Sequence, residues 1–579
     1  MMETDPNIIP QTTLSLEEML KLGARHIDQL VDAQGRTYFD VYLTQPPEAV
    51  TDWADFIDLP ARYWEAVALV EPVIASPVVA KDRLRSWLFR RFETDGLAYR
   101  PESPISAHAP ELFDQSRLLY ALDTWAMHAP EDVEVCQRIT KMMDELLRRS
   151  TREGDYTYIE QIGLYFGGTL IRPALQAGLI LNRPEWIDFA GRMARGLIDH
   201  SDLIKPDGSF KGHVHGALSA LAGTLAYAIV AGDAHLLERA RTGFDYARSI
   251  STRFGFIPEM AQREDDLIAC ETCTLMDYLD VALLLARHVD PAYWDVVELA
   301  ARNHLWESQI RDGAWIGTAG GDDEDGIIRS RLSDRIVGAF AGWSAPHCLL
   351  AYHEQFGPGW VHTKEMRPLY LGKNRAMQNC CAGAGMRAVY QVWSNSVMRV
   401  GDQVSVNLSL DRATPDVHVT SFLPFEGRVR MTVARDCDLR WRRPAYCGPE
   451  DVRVQTSEGS SVRFIQDGPF LFFGHQSAGS VIEVTFPNPE RAESITVGNA
   501  GYQQYRFDLQ WRGDTLLAVL PDPTNPSSGY TRLMDTRVHT SYGDRGIGPI
   551  YQRQGWSAGL VVTPAPLVVA SPDVDWYTL

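Results

Sequence analysis

The chain has 579 residues and a formal net charge of -20 at pH 7. Apolar residues make up 45% and charged residues 22%, which is typical of globular proteins that bury large cores. A surface this acidic repels nucleic-acid phosphates and anionic lipids, so we expect neither nucleic acid nor a membrane as the main partner.

The N-terminal segment has no basic region followed by an apolar one, so we expect no secretory signal and a cytoplasmic protein. The apolar stretch at 218–231 is too short and too rich in Gly, Ser and Thr to span a bilayer. The 8 cysteines are far fewer than a disulfide-stabilised domain needs, so their clustering favours metal binding or catalysis. The sequence leaves open whether the protein is a homo-oligomer.

Up to about residue 395 the apolar residues recur at helical spacing. Helices are predicted at 14–31, 62–70, 80–92, 110–127, 131–149, 165–181, 184–198, 213–230, 234–249, 272–288, 291–310, 334–356 and 382–394. Such a series suits six helical hairpins closed into an (α/α)6 barrel, although an open helical array would give the same pattern.

After about residue 398 the pattern changes to short alternating segments separated by Gly, Pro, Asp and Asn. Strands are predicted at 404–410, 428–433, 461–465, 481–486 and 515–520. We therefore predict an α+β multidomain chain, an (α/α)6 helical barrel followed by β-sandwich modules. The catalytic barrel would cover 1–395 and a β-sandwich 396–500, and 501–579 would form a second sandwich or complete the first.

Two cysteine-containing fragments stand at the starts of predicted helices. Glu271-Thr272-Cys273 opens one helix, and Cys380-Cys381 opens the last, about a hundred residues later. A helix N-terminus favours a thiolate, and thiolates with a carboxylate are good zinc ligands. Adjacent cysteines form a disulfide only through a strained ring, so a reduced pair that shares a metal is the simpler interpretation. A zinc finger is disfavoured because matched Cys-x2-Cys pairs are missing.

The order of these fragments resembles glycoside hydrolase family 127, the β-L-arabinofuranosidases and their relatives. Further similar segments extend the likeness from about residue 160 to 520: Gly168-Thr169-Leu170-Ile171, Gly212-His213 with Ala217, Arg387 after the cysteine pair, 404–408, and Trp511 to Asp514. The resemblance implies a retaining glycoside hydrolase with a carbohydrate substrate. It also implies one zinc ion, a nucleophile at Cys380, and four ligands: Glu271, Cys273, Cys380 and Cys381.

The resemblance further implies a carboxylic acid upstream of Glu271 that serves as general acid and base. Glu259 is the best candidate, and the alternatives are Glu264, Asp265 and Asp266, a run of acids that is more often a solvated turn. Side chains predicted to contact the sugar are His213, His215 and Thr169, with Asn303 and Trp343 on the same face. For each histidine, a core or capping role is the alternative.

The chain departs from the family beside these motifs. Thr169 stands where the family has a histidine, and Ala382, Gly383 and Ala384 follow the cysteine pair where the family has prolines and an asparagine. We therefore expect poor activity on simple β-L-arabinofuranosides and better activity on a related sugar with a bulkier or differently placed substituent.

Two other functions fit parts of the pattern. A polysaccharide lyase can have the same architecture, but it leaves the cysteine and glutamate cluster unexplained. A non-catalytic carbohydrate-binding protein with a structural zinc would explain a four-ligand site closed to substrate.

Overall fold

The computed structural model describes residues 11–12, 14–42, 46–51, 54, 56–103, 105–159, 168–262, 269–316, 320–342, 344–347, 349, 375–497, 505–521, 550–551, 553 and 561–562. Among the residues discussed above, Glu264, Asp265, Asp266, Trp343 and Cys348 lie outside the described residues.

Helices dominate the described chain up to residue 396. They are α1 (Leu16–Leu30), α2 (Asp58–Ile74), α3 (Lys81–Phe89), α4 (Leu112–His128), α5 (Val133–Arg149), α6 (Ile171–Ile180), α7 (Pro184–Asp199), α8 (Val214–Ala231), α9 (Ala234–Ser249), α10 (Thr272–His288), α11 (Tyr293–Ala300), α12 (Trp306–Ser308), α13 (Leu332–Arg335) and α14 (Cys380–Ser396). A π-helical turn, Ala301–Leu305, joins α11 to α12.

Six of these helices form a closed ring of contacts: α2 packs on α4, α4 on α6, α6 on α8, α8 on α10, α10 on α14, and α14 on α2. The ring helices are buried nearly all round, as α10 is from Thr272 to Ala286. The helices that flank the ring (α1, α3, α5, α7, α9 and α11) each pack against one or two ring helices. α5 illustrates them, because its apolar residues from Val135 to Leu146 lie on one buried stripe.

The ring helix α8 is long and apolar enough to cross a membrane. However, 78% of this segment is buried inside the protein, as expected for a core helix of a soluble protein.

Strands dominate after residue 396. In chain order the strands are β1 (Gln11–Thr12), β2 (Asp40–Tyr42), β3 (Glu48–Val50), β4 (Thr151–Glu153), β5 (Tyr156–Tyr158), β6 (Gly212–His213), β7 (Met260–Ala261), β8 (Ile327–Ile328), β9 (Arg375–Gln378), β10 (Val397–Val400), β11 (Gln403–Val406), β12 (Arg412–Ala413), β13 (Val417–Ser421), β14 (Arg428–Val433), β15 (Cys437–Arg442), β16 (Arg453–Thr456), β17 (Ile465–Asp467), β18 (Phe470–Gln476), β19 (Val481–Thr485), β20 (Glu490–Val497), β21 (Tyr505–Arg512), β22 (Thr515–Pro521) and β23 (Val561–Val562).

Two five-stranded sheets contribute to one apolar core. Their strand orders are β10-β11-β15-β18-β17 and β12-β13-β14-β19-β16. Alternate residues point inward, and Val404, Trp441, Val429 and Val484 from both sheets belong to the same buried cluster. The predicted α+β multidomain class is confirmed.

A separate three-stranded sheet, β20-β21-β22, packs against the helical region. Phe507, Trp511 and Leu516 belong to the same apolar core as the ring helices. The side chain of Asn303 in the π-helical turn fixes the β21–β22 hairpin. Its Nδ2 donates to the Asp514 carbonyl at 2.9 Å, and its Oδ1 accepts from the Leu516 N–H at 2.8 Å.

The helix predicted over 334–356 is wrong for residues 336–342. α13 ends at Arg335, and Gly338 adopts a φ of 98°, in the left-handed region. A Cβ at this position would lie 1.9 Å from the Leu22 carbonyl oxygen, so the backbone passes too close to α1 for a continuing helix. Residues 350–356 lie outside the described residues.

The carboxyl group of Asp514 gives the protein a pH-dependent stability. Burial and the neighbouring Asp295 and Glu298 raise its pKa from 3.8 to about 7. A carboxyl whose folded pKa is raised destabilises the fold progressively as the pH rises from about 4 to 7. Asp514→Asn should therefore raise the free energy of unfolding at pH 8 by roughly 1–3 kcal/mol, and this gain should shrink towards zero near pH 4.

Chemical denaturation at both pH values measures this difference. Glu458→Gln, at an exposed position, is the control and should change little at either pH. Equal effects of Asp514→Asn at both pH values would contradict the assignment.

Candidate active site

The N-terminal ends of all six ring helices meet at one end of the ring. The helices contribute, in order, Arg62 of α2, Arg117 of α4, Thr169 just before α6, His215 of α8, Cys273 of α10, and Cys380 with Cys381 of α14. Hydrogen bonds and ion pairs connect the arginine, histidine and cysteine side chains into one polar site, and Thr169 binds Ser116 of α4. Because each helix N-terminus carries a partial positive charge, this end of the ring favours anions.

Four predicted ligand atoms lie together in this site. The Sγ atoms of Cys273 and Cys381 are 3.6 Å apart, and Cys380 Sγ lies 3.8 Å from Glu271 Oε1. One ligand atom from each of the four residues lies within 4.8 Å of the others, and all four side chains are buried. This cluster can hold a metal ion.

Local structure explains how the two fragments converge. Glu271 is the extended residue that precedes α10, and the Thr272 hydroxyl fixes the turn by donating to the Ala341 carbonyl at 2.7 Å. The residue before Cys380 is fixed in the same way, because Asn379 Nδ2 donates to the Tyr38 carbonyl at 2.9 Å. Gly383 then lets α14 approach α2, since a Cβ there would lie 2.9 Å from Arg62 Cβ.

The three thiols of the cluster have very different proton affinities. Burial opposes ionisation of Cys273, but hydrogen bonds from Cys380 and Cys381 and the charge of Arg62 outweigh it and hold the pKa of Cys273 well below its usual range. The Cys273 thiolate, as hydrogen-bond acceptor, raises the pKa of Cys380 well above its usual range. Burial and the same thiolate raise the pKa of Cys381. Full ionisation of the cluster therefore requires a cation.

His213 and Glu259 stand beside the cluster. Pairing of β6 with β7 places His213 opposite Met260, and the Glu259 carbonyl accepts the Val214 N–H at 2.8 Å. His213 Nε2 lies 2.9 Å from Glu271 Oε2 and 3.9 Å from Glu259 Oε1. Burial lowers the pKa of His213, but the Glu271 carboxylate outweighs this effect and raises it to about 9.

His215 and Thr169 form the neighbouring wall. His215 Nδ1 is 2.6 Å from Asp277 Oδ2, and His215 Nε2 is 3.1 Å from Arg117 Nη2. The Thr169 hydroxyl lies 2.9 Å from the Ser116 hydroxyl. Protein groups therefore orient both ring nitrogens of His215, whereas Thr169 contacts α4 through Ser116.

Arg387 lies deeper in the ring than the cysteines. Its guanidinium forms ion pairs with Asp280 at 3.3 Å and Glu65 at 3.5 Å, and it donates to the Tyr120 hydroxyl. These contacts cross the ring interior between α14, α10, α2 and α4, so they fix the helices that carry the cluster. Asn303, predicted to line the sugar-binding face, binds the β21–β22 hairpin instead.

Sequence reasoning missed four charged residues of the site: Asp58, Arg62, Arg117 and Asp277. Arg62 Nε donates to the Asp58 carboxylate at 2.9 and 3.1 Å, and Arg62 Nη1 lies 3.5 Å from Cys273 Sγ. The predicted helix began only at Arg62, and the available signal was the acidic Asp58 four residues before it, at the spacing of a helical ion pair. For Arg117 and Asp277 the available signal was a charged residue within an apolar helical stripe.

Comparison with known proteins shows which solved structures share the fold of this chain. No protein-family model matches the chain, and no curated protein matches it. Among solved structures, a GH127 β-L-arabinofuranosidase from Geobacillus stearothermophilus T6 has a TM-score of 0.55 at 14% identity and covers 88% of this chain and 81% of its own.

Two further structures agree. A GH127 β-arabinofuranosidase has a TM-score of 0.56 at 14% identity, with 88% of this chain and 81% of that chain covered. A structure described as a glycoside hydrolase has a TM-score of 0.54 at 13% identity and covers 84% of each chain. The resemblance to glycoside hydrolase family 127 or a close sister family is thus confirmed for the fold of the chain.

Proposed function

We propose that the protein is a retaining glycoside hydrolase that cleaves a furanoside-type, L-arabinofuranose-like sugar with the thiolate of Cys380 as nucleophile. The observation that carries this proposal is the buried cluster of three thiols and a carboxylate at the end of the ring where all six helices begin. A structural role alone would not explain the adjacent pair His213 and Glu259.

The cluster fits a zinc ion. Zinc prefers thiolates and carboxylates in a tetrahedron, and zinc–sulfur bonds of about 2.3 Å need sulfur atoms about 3.8 Å apart. Cys273 and Cys381 satisfy this spacing at 3.6 Å. In this proposal Glu271, Cys273 and Cys381 remain ligands throughout, and Cys380 is the ligand that reacts. Bound zinc would keep the thiols ionised at neutral pH and withdraw charge from sulfur, which makes a glycosyl–sulfur bond easier to break.

The chemistry then needs two displacements. Cys380 Sγ attacks the anomeric carbon while the Glu259 carboxylic acid protonates the departing glycosidic oxygen. The Glu259 carboxylate next takes a proton from water, whose oxygen attacks the anomeric carbon and releases the Cys380 sulfur. His213 orients the Glu271 carboxylate and lies between it and Glu259. His213, His215 and Thr169 are the proposed contacts to sugar hydroxyls.

We further propose that the ring is an (α/α)6 barrel and that residues 1–395 are the catalytic domain. The closed series of helix contacts and the flanking helix on each hairpin support this arrangement. The division into β modules at 396–500 and 501–579 remains a prediction. All described cysteines carry free thiols, which favours a cytoplasmic location.

The first prediction for this site concerns metal. Gently purified protein should contain about one zinc ion per chain, because four ligand types converge in one buried cluster. Cys273→Ser should lose the metal, whereas Cys437→Ser, a buried cysteine of the β-sandwich core, should retain it. Elemental analysis of the three proteins measures this difference, and zinc-free active protein would contradict the proposal.

The second prediction separates the adjacent cysteines. Cys380→Ser should lower turnover by several orders of magnitude with the fold largely intact, because serine is a poor nucleophile without a base. Cys381→Ser should instead lose metal and thermal stability together. Steady-state kinetics, zinc content and thermal denaturation distinguish the two variants. The reverse pattern would mean that the roles within the pair are exchanged.

The third prediction concerns stereochemistry and the acid. Two displacements must leave the product with the anomeric configuration of the substrate, which proton NMR early in hydrolysis detects. Glu259→Gln should lower turnover about 100-fold or more on glycosides with alkyl leaving groups, but less on aryl glycosides that leave without protonation. An inverted first product would exclude Cys380 as nucleophile, and equal losses on both substrate types would exclude Glu259 as the acid.

A further inference from the structure

Arg117 places a buried guanidinium in the wall of the site. Its side chain is 5% exposed, and its Nη2 lies 3.1 Å from His215 Nε2. Its Nε makes no hydrogen bond within the described part of the chain and lies 3.8 Å from Asp58 Oδ1. Buried guanidinium groups normally have most of their N–H donors paired, so the buried Nε of Arg117 is a donor that lacks a close partner among the described residues.

The carboxylates nearest to Arg117 have closer partners. Asp58 accepts two hydrogen bonds from Arg62, at 2.9 and 3.1 Å. Asp277 is bound by His215 Nδ1 at 2.6 Å. Because a guanidinium only donates, His215 Nε2 must accept from Arg117, so the closest partner of Arg117 is an imidazole lone pair, and its ion pair with Asp58 is long at 3.8 Å.

The electrostatic surroundings of Arg117 also indicate that its charge is incompletely balanced. Burial and the like charge of Arg62 lower the pKa of Arg117, and the nearby carboxylates only partly offset this effect. The N-terminal ends of the ring helices add positive potential. A buried cation under these conditions is stabilised by an anion that binds beside it.

We propose that Arg117 binds a carboxylate group carried by the sugar, so that the substrate class is a glycoside of an acidic sugar. This inference rests on the proposed glycosidase function and specifies the substituent that distinguishes the substrate. A carboxylate matches the planar guanidinium with two parallel hydrogen bonds, whereas a sugar hydroxyl can accept only one.

Ser116, next to Arg117 on α4, and Thr169 both carry short polar side chains. Thr169 and Ser116 face each other through their hydroxyls, and Ser116 also bonds the Phe113 carbonyl at 2.7 Å. Threonine is shorter than the histidine that the resemblance to glycoside hydrolase family 127 implies at position 169, so it occupies less volume there.

The test compares aryl glycosides in matched pairs that differ only in a carboxylate in place of a hydroxymethyl group, in pyranose and furanose series. The zinc-loaded wild-type protein should prefer the acidic member of at least one pair by about tenfold or more in kcat/KM. Arg117→Gln should abolish that preference, mainly through a higher KM for the acidic member, so the readout is the ratio of kcat/KM within each pair and not either value alone. Arg117→Lys should keep an intermediate preference because it retains charge without the planar fork.

Arg239→Gln is the matched control, since Arg239 binds the backbone carbonyls of Ile198 and Ile204 and pairs with the Asp199 carboxylate, none of which belongs to the site. It should leave the preference unchanged. A wild-type protein without preference in any pair, or an Arg117→Gln variant that loses both activities equally, would overturn the inference while the glycosidase function stands.

Binding separates this inference from the proposed function. D-glucuronate and D-galacturonate should raise the melting temperature of the wild-type protein more than D-glucose and D-galactose do, and Arg117→Gln should remove the difference. This readout needs no turnover, so a protein that cleaves nothing but shows the difference would overturn only the glycosidase function. Equal shifts by acids and neutral sugars count against Arg117 as a carboxylate-binding residue.

Discussion

Three sulfur atoms and a carboxylate group lie within 4.8 Å of one another in a place shielded from water, and most other features of the site follow from this crowding. Hydrogen bonds from Cys380 and Cys381 and the charge of Arg62 lower the pKa of Cys273, and the resulting thiolate, together with burial, raises the pKa values of Cys380 and Cys381. Additional positive charge lowers the cost of ionising these two thiols in a buried site. The ring supplies part of it through converging helix N-termini and Arg62, and a divalent cation would supply the rest.

Close packing between helices fixes the positions of these charged groups. Gly383 and Gly385 follow the cysteine pair on α14, and a Cβ on either would collide, with Arg62 for the first and with Phe340 for the second. Small residues thus set the distance between α14 and α2, and with it the contact between Arg62 and Cys273. The residues that replace the family's prolines after the cysteine pair therefore have a structural role of their own.

Much of this could be predicted from the sequence, because helical periodicity and the paired cysteine motifs are local signals. The predicted starts of two helices and the resemblance to glycoside hydrolase family 127 were enough to group Glu271 with the cysteines. By contrast, Arg117 and Asp277 lie within apolar helical segments, where a single charged residue does not by itself indicate a functional site. They contact His215 only because the ring of helices closes, which the sequence does not show. The helix expected after Asp334 failed because Gly338 passes close to the Leu22 backbone, a contact between segments far apart in sequence.

The contrast between surface and site explains how an acidic protein can bind an acidic sugar. The net charge of -20 is spread over the whole chain, and salt screens surface charges beyond a Debye length of about 8–10 Å. At the end of the ring, Arg62 and Arg117 are buried beside the helix N-termini, so solvent screens their charges less than it screens charges on the surface. Local positive potential therefore governs binding in the site, while the remote negative charge chiefly slows the approach of anions at low ionic strength.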